Sequence, residues 1–487
     1  MPARLAPSWD FLSPCLENYK MNLSGKKTLV IGLGVEGLST ARYLNRHGAE
    51  ITVCDAKNEG DIDPPILHQV KQFTNNFRFG GEYLKDINQF ELIFRSPSVH
   101  PNLSELEMAE RNGCVITSNI KLFFEEASAK IIGVTGTKGK GTTATMIYEM
   151  LKVEGKRAFL GGNIGTPPLD FLDEITGSDW VVLELSSFQL IDLDKSPYIA
   201  VVLMITSEHL DWHRDEIEYR TSKYNIVEHQ SQKDFAVLNF DYPNSRSFAN
   251  HTQGSVVYFS LNKESNPGVF YKDGRIWRWF RSSYEELIDR EKILLRGDHN
   301  IENALAATAT ASIIGISKEN IQKVLGEFKG LEHRLELVRE LEKASYYNDS
   351  FSTTPETAIA AIESFTEPTV LILGGSSKKS DFENLGKKII EKENIKAVIL
   401  IGEEAKRIKD AIIKAGEFKG KIIEGPKNMK EIVNSAVAEA RSGDVILLSP
   451  ACASFDMFKN YKERGNEFKQ VVNGLTRSQI SKKSISW

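Results

Sequence analysis

Two glycine-rich turns constrain the fold of this chain more than any other feature of its sequence. In "VIGLGVEGLSTARYL", Gly32, Gly34 and Gly37 stand between an apolar run and a helical pattern. The stretch "GVTGTKGKGTT", from Gly133 to Thr143, has the same surroundings. Where a strand turns into a helix in this way, backbone N–H groups and the helix N-terminus face an anion. The sequence therefore predicts two anion-binding turns.

Short β-branched runs alternate with amphipathic helical patterns along most of the 487 residues. Continuous apolar strands separated by helices indicate parallel sheets covered on both faces, so we expect an α/β protein. A chain of 487 residues is too long for one core. The pattern predicts an N-terminal extension (1–22) and three domains (23–118, 119–330 and 331–487).

The region from Phe240 to Leu295 is less regular than the rest of the chain. Its runs "VVYFSLNKE", "GVFYKDGRIWRWF" and "KILLRG" are typical of antiparallel strands. We expect them to extend the middle sheet.

Composition excludes several classes of protein. A net charge of −5 gives no reason to expect a nucleic-acid partner. No apolar run is long enough to cross a bilayer, so we expect no membrane insertion. The four cysteines are scattered without metal-ligand spacing, as in a reducing compartment. We expect a cytoplasmic monomer.

The second turn has the composition of an ATP-phosphate loop. Lys140 supplies a mobile positive charge for the outer phosphates. Gly141 stands where such loops have the Ser or Thr that binds Mg²⁺, so Thr142 or its neighbour Thr143 must supply that hydroxyl. The other predicted ATP-binding positions of the loop are Gly136, Thr137 and Gly139.

The first turn matches the diphosphate-binding pattern of Rossmann folds. Asp55 closes the next strand, about 20 positions on, where an acidic residue holds a ribose hydroxyl. Alone, this turn would suggest a dinucleotide dehydrogenase. Together the two turns predict one site for ATP and another for a molecule with a nucleoside diphosphate.

Polar residues also follow the strands "WVVLE" and "YIAVVLMIT". Glu184 and His209 would lie at the carboxyl ends of these strands, on the same rim as the phosphate loop, and suit a magnesium ion held against phosphates. The alternative for "TSEHLD" is a helix N-cap. Asp211 and His213 have the character of structural residues.

Nine motifs, in order along nearly the whole chain, resemble those of the Mur ligases. They are "GVTGTKGKGTT", "GGNIGTP", "LELSSFQL", "SEHLDWH", "YRTSKYNI", "GDHNIENALAA", "EHRLELV", "YYNDSFSTTPE" and "LLSPACASFDMFKNYKERGNEF". The resemblance implies three domains: a Rossmann-like domain for a UDP-sugar, a central P-loop ATPase domain and a Rossmann-like C-terminal domain. The last motif is most similar to the members that add glutamate to UDP-N-acetylmuramoyl-L-alanine through an acyl phosphate, with ATP and Mg²⁺.

The resemblance also implies roles for single residues. Asn163 would contact the UDP-sugar, and Lys223 would be carbamylated and bind metal beside Glu184 and His209. The implied ATP-side residues are Asn300, Asn303, Arg334 and Asp349. The implied glutamate-side residues are Lys378, Ser454 and Tyr461. Without the resemblance, Lys223 would be an exposed helix lysine, the asparagines helix caps and Arg334 a surface ion-pair partner.

The sequence departs from the family pattern at a few positions, and it leaves alternative functions open. Besides Gly141, Phe351 replaces the lysine of the family's usual "NDSKATN", and Pro355 follows in the same loop. The glutamate could be the D or the L enantiomer, and D is favoured by Lys378 and Ser454. A folylpolyglutamate synthase shares the last two domains but has its phosphate loop near the N-terminus. A dehydrogenase or a nucleotide sensor would leave the second turn unexplained.

Overall fold

The computed structural model describes residues 21–209, 211–280, 282–377 and 380–476. Its three sheets with surrounding helices confirm the predicted α/β class. Most of the predicted N-terminal extension and Lys378 lie outside the described residues. None of the helices in the described ranges combines the length and the apolar character needed to span a bilayer.

The first sheet follows the pattern of a nucleotide-binding fold. Its strands are β1 (Lys27–Ile31), β2 (Glu50–Asp55), β3 (Phe77–Phe79), β4 (Leu92–Arg95) and β5 (Val115–Thr117). They lie in the order β3-β2-β1-β4-β5, and all neighbours pair in parallel. The helices are α1 (Val35–Arg46), α2 (Pro64–Val70) and α3 (Ser104–Arg111). The switch in strand order between β1 and β4 places the first glycine turn where such folds bind ligands.

Nine strands form the second sheet. They are β6 (Lys130–Thr135), β7 (Ala158–Gly162), β8 (Trp180–Glu184), β9 (Ile199–Val202), β10 (Phe235–Asn239), β11 (Ser255–Ser260), β12 (Gly268–Lys272), β13 (Arg275–Phe280) and β14 (Ser283–Asp289). The helices of this region are α4 (Asn119–Glu126), α5 (Lys140–Val153), α6 (Ser187–Leu190), α7 (Glu216–Ser222), α8 (Asn225–Glu228), α9 (Pro243–Arg246), α10 (Asp298–Ile314) and α11 (Lys318–Glu327).

The chain packs into two compact units. The first contains the chain up to Ile132 together with Phe159–Tyr198 and Glu208–Gln230. Within it, β8 and β7 are hydrogen-bonded neighbours. The second contains Gly133–Ala158, Ile199–Ser207 and the chain from Ser231 onward. Within it, six strands lie in the order β14-β13-β12-β11-β10-β9.

The irregular region differs from its prediction in two respects. Strands β11 and β12 continue the sheet in parallel, and only the pairs β12·β13 and β13·β14 are antiparallel. The run "KILLRG" is not a strand and opens in a 3₁₀ turn, Arg290–Lys292. The edge strand is β14 instead, because its Glu285 and Tyr284 pair across the sheet with Arg278 and Trp279.

The third sheet lies in the second unit and is covered on both faces. Its strands are β15 (Glu336–Leu341), β16 (Ala344–Asn348), β17 (Thr369–Gly374), β18 (Ile395–Ile401), β19 (Lys421–Glu424) and β20 (Val445–Leu448), in the order β15-β16-β20-β17-β18-β19. The helices are α12 (Pro355–Glu363), α13 (Glu383–Glu391), α14 (Ala405–Ala415), α15 (Met429–Glu439) and α16 (Tyr461–Asn473). Two buried apolar clusters pack the helices onto the strands.

Candidate active site

The second glycine turn connects β6 to α5 in a geometry that only glycine tolerates at its two ends. Gly136 has a φ of +151° and Gly139 a φ of +84°. A Cβ at Gly139 would stand 2.1 Å from Asn303 Oδ1, and one at Gly136 would stand 2.8 Å from Leu203 Cβ. The turn is therefore pressed against α10 and the end of β9, and its backbone amides are fixed in place.

Lys140 lies over this turn as the first residue of α5. Its ammonium donates hydrogen bonds to the carbonyl oxygens of Gly136 (3.1 Å) and Thr137 (3.0 Å). The Thr137 hydroxyl in turn accepts a hydrogen bond from the backbone N–H of Thr206, at 2.9 Å. The positive charge is thus held beside the amides that face an anion in a phosphate loop.

The two threonines after Gly141 have different surroundings. Thr143 is completely buried, and its hydroxyl donates to Asn303 Oδ1 at 3.3 Å. Asn303 donates to Asn300 Oδ1 (3.1 Å), and Asn300 donates to the Arg296 carbonyl (2.7 Å). The asparagines are therefore not helix caps, because they form a buried chain that fixes the loop to α10. Since Thr143 belongs to this chain, Thr142 is the better placed of the two for a metal.

The first glycine turn, between β1 and α1, is equally tight. Gly32 has a φ of +91°, and a Cβ at Gly37 would stand 2.1 Å from the Gly32 carbonyl oxygen. Asp55 accepts hydrogen bonds from the backbone N–H groups of Leu33 (2.7 Å) and Lys57 (2.9 Å). Asp55 thus anchors the turn itself, a role that spacing alone did not predict.

Glu36 lies in the first turn of α1, directly after the glycines. Its carboxylate accepts a 2.6 Å hydrogen bond from Gln189 Nε2 of α6, and Arg95 of β4 is the nearby cation. Burial raises the pKa of Glu36 to about 7, although the Gln189 hydrogen bond and Arg95 act in the opposite direction. A titratable carboxyl therefore stands at the predicted diphosphate turn. No motif in the sequence indicated a role for Glu36.

Glu184 ends β8 with one carboxylate oxygen bonded and the other without a partner. The side chain is 2% exposed, and Oε1 accepts a 3.0 Å hydrogen bond from Asn163 Nδ2. Oε2 is buried and has no hydrogen-bond partner among the described residues. A buried anionic oxygen is costly without a donor or a cation. Asn163 and Glu184, predicted to face different ligands, are thus direct partners.

His209 and Lys223 also belong to the first unit but differ in exposure. His209 is exposed, has a φ of +59°, and packs its ring against Phe188 at 4.8 Å. Lys223 is only 1% exposed, with Nζ 4.7 Å from the Tyr219 ring centroid. Lys223 is therefore not an exposed helix lysine.

The residues "TSEHLD" form no helix N-cap, since α7 begins only at Glu216. His213 is buried, with Nε2 2.9 Å from the Ser187 hydroxyl. Its surroundings agree with the predicted structural role. Asp211 lies two residues before His213, in the turn that precedes α7. Within the described ranges, no three His, Cys, Asp or Glu side chains converge as a metal site.

In the third sheet, Asp349 follows β16 and is buried. It accepts hydrogen bonds from the Ser449 hydroxyl (2.8 Å) and the Leu335 N–H (3.1 Å), and another from the Ser352 hydroxyl. Burial raises its pKa to about 6 despite these donors. Asp349 thus joins the end of β16 to the loop that carries Arg334.

Phe351 lies between two residues that were assigned to different substrates. Its ring centroid is 3.8 Å from Arg334 Cζ and 5.1 Å from the Tyr461 ring, which meets it edge to face. Arg334 was predicted on the ATP side and Tyr461 on the glutamate side. Ser454, also predicted there, is 2% exposed in the loop before α16. Lys378 lies outside the described residues.

Arg464 of α16 lies in the motif "LLSPACASFDMFKNYKERGNEF", which did not indicate a role for it. It is completely buried, and its guanidinium donates to the Ser350 hydroxyl (2.9 Å) and carbonyl (2.8 Å). It also donates to the carbonyls of Cys452 and Ala453, both at 3.2 Å. Burial lowers its pKa to about 10. The available signal was its spacing, since Arg464, Phe468 and Val472 share one helix face.

Three family models match the chain in order. The Mur ligase MurD-like N-terminal domain matches residues 26–118, and the Mur ligase middle domain matches 134–311. The model described as Mur ligase, glutamate ligase domain matches residues 333–452.

Proteins of known name are similar to the chain over most of its length. The UDP-N-acetylmuramoylalanine–D-glutamate ligase of Ruminiclostridium cellulolyticum is 40% identical, and that of Acetivibrio thermocellus 41%, each over 464 residues. Both alignments cover 94% of this chain and 99% of the relative. A MurF ligase from Thermotoga maritima, solved in complex with ADP, has a TM-score of 0.55 at 18% identity. That alignment covers 92% of this chain and 96% of the other.

Proposed function

We propose, starting from the fact that this chain belongs to the Mur ligase family, that it joins D-glutamate to UDP-N-acetylmuramoyl-L-alanine in an ATP-dependent reaction. Relatives named for this activity are 40% and 41% identical over 94% of the chain. The observation that carries the proposal is the phosphate loop with Lys140 folded over it, in a chain with a second, diphosphate-type turn. The product would carry the second residue of the peptidoglycan stem peptide.

The chemistry requires an activated carboxyl group, because a carboxylate is a poor electrophile. Transfer of the γ-phosphoryl group of ATP to the terminal carboxylate of the alanyl substrate gives an acyl phosphate and ADP. The glutamate amino group attacks the acyl carbon, and the tetrahedral intermediate releases phosphate and loses a proton to leave the amide. Phosphoryl transfer depends mainly on positioning and on charges that stabilise the transferring group.

Lys140 and the loop amides would supply that stabilisation on the ATP side. Lys140 already lies over the loop, and its ammonium would exchange carbonyl partners for phosphate oxygens. Asn300 and Asn303 would act by holding the loop in shape. Arg334 and Asp349 are proposed as further ATP-side residues, following the family pattern.

One buried oxygen supports a magnesium ion. The partnerless Oε2 of Glu184 is a carboxylate oxygen, the kind of ligand that Mg²⁺ prefers. When bound, the ion would neutralise charge on the phosphates. We propose Glu184, Thr142, His209 and carbamylated Lys223 as the residues that hold it. Because a buried charge is costly without a partner, a carbamate on the buried Lys223 would be stable only beside a cation.

On the UDP-sugar side, the turn at Gly32, Gly34 and Gly37 would hold the diphosphate. Asn163 would contact the muramoyl group while it fixes Glu184, so that one amide serves both the substrate and the metal ligand. Asp55 would act chiefly by holding the turn.

On the amino-acid side we propose Lys378, Ser454 and Tyr461. Two carboxylates of fixed hand need donors at fixed positions, and the wrong enantiomer leaves some of these groups unpaired. The names of the relatives favour D-glutamate. The complete first sheet, β1 to β5, precedes the phosphate loop and disfavours a folylpolyglutamate synthase.

Phosphate release from ATP tests this proposal. Release should require both UDP-N-acetylmuramoyl-L-alanine and D-glutamate, and L-glutamate should be used roughly 10²-fold less well. Mass spectrometry of the product should show the added glutamyl group. If, in the presence of UDP-N-acetylmuramoyl-L-alanine, L-glutamate supported release and D-glutamate did not, the chain would be the variant that adds L-glutamate. The absence of release with either enantiomer would contradict the proposal.

The titration of Glu36 predicts how the affinity for the UDP-substrate depends on pH. Below pH 7 the carboxyl is neutral, and above it the carboxylate repels the diphosphate, since its pKa is raised to about 7. Affinity should therefore fall as pH rises from 6 to 8, by at most about tenfold per unit. Calorimetric titration with UDP-N-acetylmuramoyl-L-alanine measures this.

Glu36→Gln is the matched variant, because it keeps the shape and cannot ionise. Its affinity should be nearly independent of pH over the same range. A wild-type profile as flat as that of the variant would remove Glu36 from the binding site. Arg95, the cation near Glu36, is unchanged in this variant.

We place the reaction in the cytoplasm, where ATP and nucleotide sugars are available, and we propose that the enzyme acts as a monomer. Size-exclusion chromatography with light scattering checks the second statement, which a dimeric mass would contradict.

A further inference from the structure

The loop that carries Arg334 has an unfavourable backbone on both sides of that residue. His333 has a φ of +65° and Leu335 a φ of +47°, in the left-handed region that side chains other than glycine rarely adopt. Such a conformation persists only where surrounding contacts over-determine it, and it is common at functional sites. The contacts that hold this loop therefore determine where the guanidinium of Arg334 lies.

Those contacts come mostly from the segment after β16. The Phe351 N–H donates to the His333 carbonyl at 3.0 Å, and the Leu335 N–H donates to Asp349 Oδ1 at 3.1 Å. The Asn348 side chain lies 2.8 Å from His333 Nδ1. These bonds fix the backbone on either side of Arg334, but they do not orient its long side chain.

The ring of Phe351 contacts that side chain. Arg334 Cζ lies 3.8 Å from the ring centroid, so the guanidinium is in close contact with the aromatic face. A cation held by an aromatic face uses none of its five N–H donors in that contact. A planar guanidinium is a group that meets phosphate oxygens in pairs.

Phe351 is itself held in place. The Tyr461 ring contacts it edge to face, 5.1 Å away at an interplanar angle of 88°. The carbonyl of Tyr461 accepts a 2.7 Å hydrogen bond from the Ser350 hydroxyl, next to Phe351 in the chain. Yet Phe351 remains 37% exposed, more than expected of a residue that only fills a core.

We propose that Phe351 is a positioning residue that holds the guanidinium of Arg334 for contact with the phosphates of ATP. This inference rests on the proposed function. It gives a role to one of the positions at which the chain departs from the motif of the family that it resembles. A lysine at 351 would place a second positive charge against Arg334 and could not provide the aromatic face.

A double-mutant cycle tests this role, because it isolates the coupling between two residues. Affinity for a non-hydrolysable ATP analogue is measured by calorimetry for wild type, Phe351→Leu, Arg334→Gln and the double variant. Phe351→Leu should weaken binding roughly 3- to 30-fold, the range of a cation–π contact. In the Arg334→Gln background the same change should alter affinity less than about twofold. Arg334→Lys provides a second background.

Three further variants separate positioning from packing. Phe351→Tyr keeps the aromatic face and should bind the analogue like wild type, whereas Phe351→Lys should bind as weakly as Phe351→Leu. Phe418→Leu makes the same change at another half-buried phenylalanine of the third sheet region. It should lower the melting temperature without changing the affinity for the analogue.

The inference would be overturned if Phe351→Leu weakened binding equally in the wild-type and Arg334→Gln backgrounds. Wild-type affinity of Phe351→Leu or of Phe351→Lys would also overturn it. The proposed function is judged separately on the wild-type protein. Failure of the wild type to bind the analogue and to release phosphate would overturn both. A wild type that binds and turns over ATP leaves the variants to decide the role of Phe351 alone.

Discussion

Replacing Lys140 by alanine is expected to abolish ligation while the fold is retained. The ammonium lies over the phosphate loop and donates hydrogen bonds to the carbonyls of Gly136 and Thr137. Loss of a charge that stabilises a transferring phosphoryl group costs roughly 10³-fold or more in turnover. Two hydrogen bonds of this kind contribute only about 1 kcal/mol each to stability. Phosphate release and the melting temperature measure the two effects.

Lys152→Ala is the control for this change, since Lys152 is an exposed lysine at the other end of the same helix. It should leave turnover within about twofold of wild type, as is usual for exposed substitutions. Turnover of Lys140→Ala within tenfold of wild type would show that the second glycine turn does not hold the reacting phosphates.

Lys223→Ala is expected to reduce turnover roughly 10²-fold or more, because it removes the nitrogen on which the proposed carbamate forms. At 1% exposure, a charged group at this position needs a partner, and the proposed carbamate would have the metal as its partner. A short carboxylic acid, supplied in solution, should restore part of the activity by taking the place of the carbamate. In the wild type, ¹³C-labelled bicarbonate should give a carbamate signal by nuclear magnetic resonance.

Lys233→Ala provides the comparison, because Lys233 is an exposed lysine a short distance along the chain. It should keep full activity and the carbamate signal. If Lys223→Ala were fully active without added acid, or if the signal persisted in it, the lysine would serve only to pack against Tyr219.

Much of the fold could be predicted because apolar runs and glycine turns are local signals. The strands that end at the two turns, β1 and β6, were predicted from such runs and are confirmed. The pairing direction of β11 was predicted wrongly, because a strand's sequence does not say which neighbour it joins. Nor could "KILLRG" be separated from a strand, since buried apolar residues also line the approach to a helix.

The site was less predictable, because its residues are connected by contacts between distant parts of the chain. Spacing could suggest Glu184 and Asn163 separately but not the hydrogen bond between them. It could not show that the Thr143 hydroxyl is hydrogen-bonded to Asn303, 160 positions away. The sequence could not show that Lys223 is buried either, since the helix that precedes it, α7, has only seven residues.

The arrangement around Arg464 has a consequence for protein engineering. One side chain donates hydrogen bonds to the segment at Ser350 and to the segment at Cys452 and Ala453, and it sits on the helix that begins with Tyr461. A buried arginine that loses part of these acceptors leaves an unpaired charge in the interior, which typically costs about 3–5 kcal/mol. Grafting one of these loops from a relative with another amino-acid preference should therefore unfold the domain rather than change its preference. The three segments should be transferable only as a set.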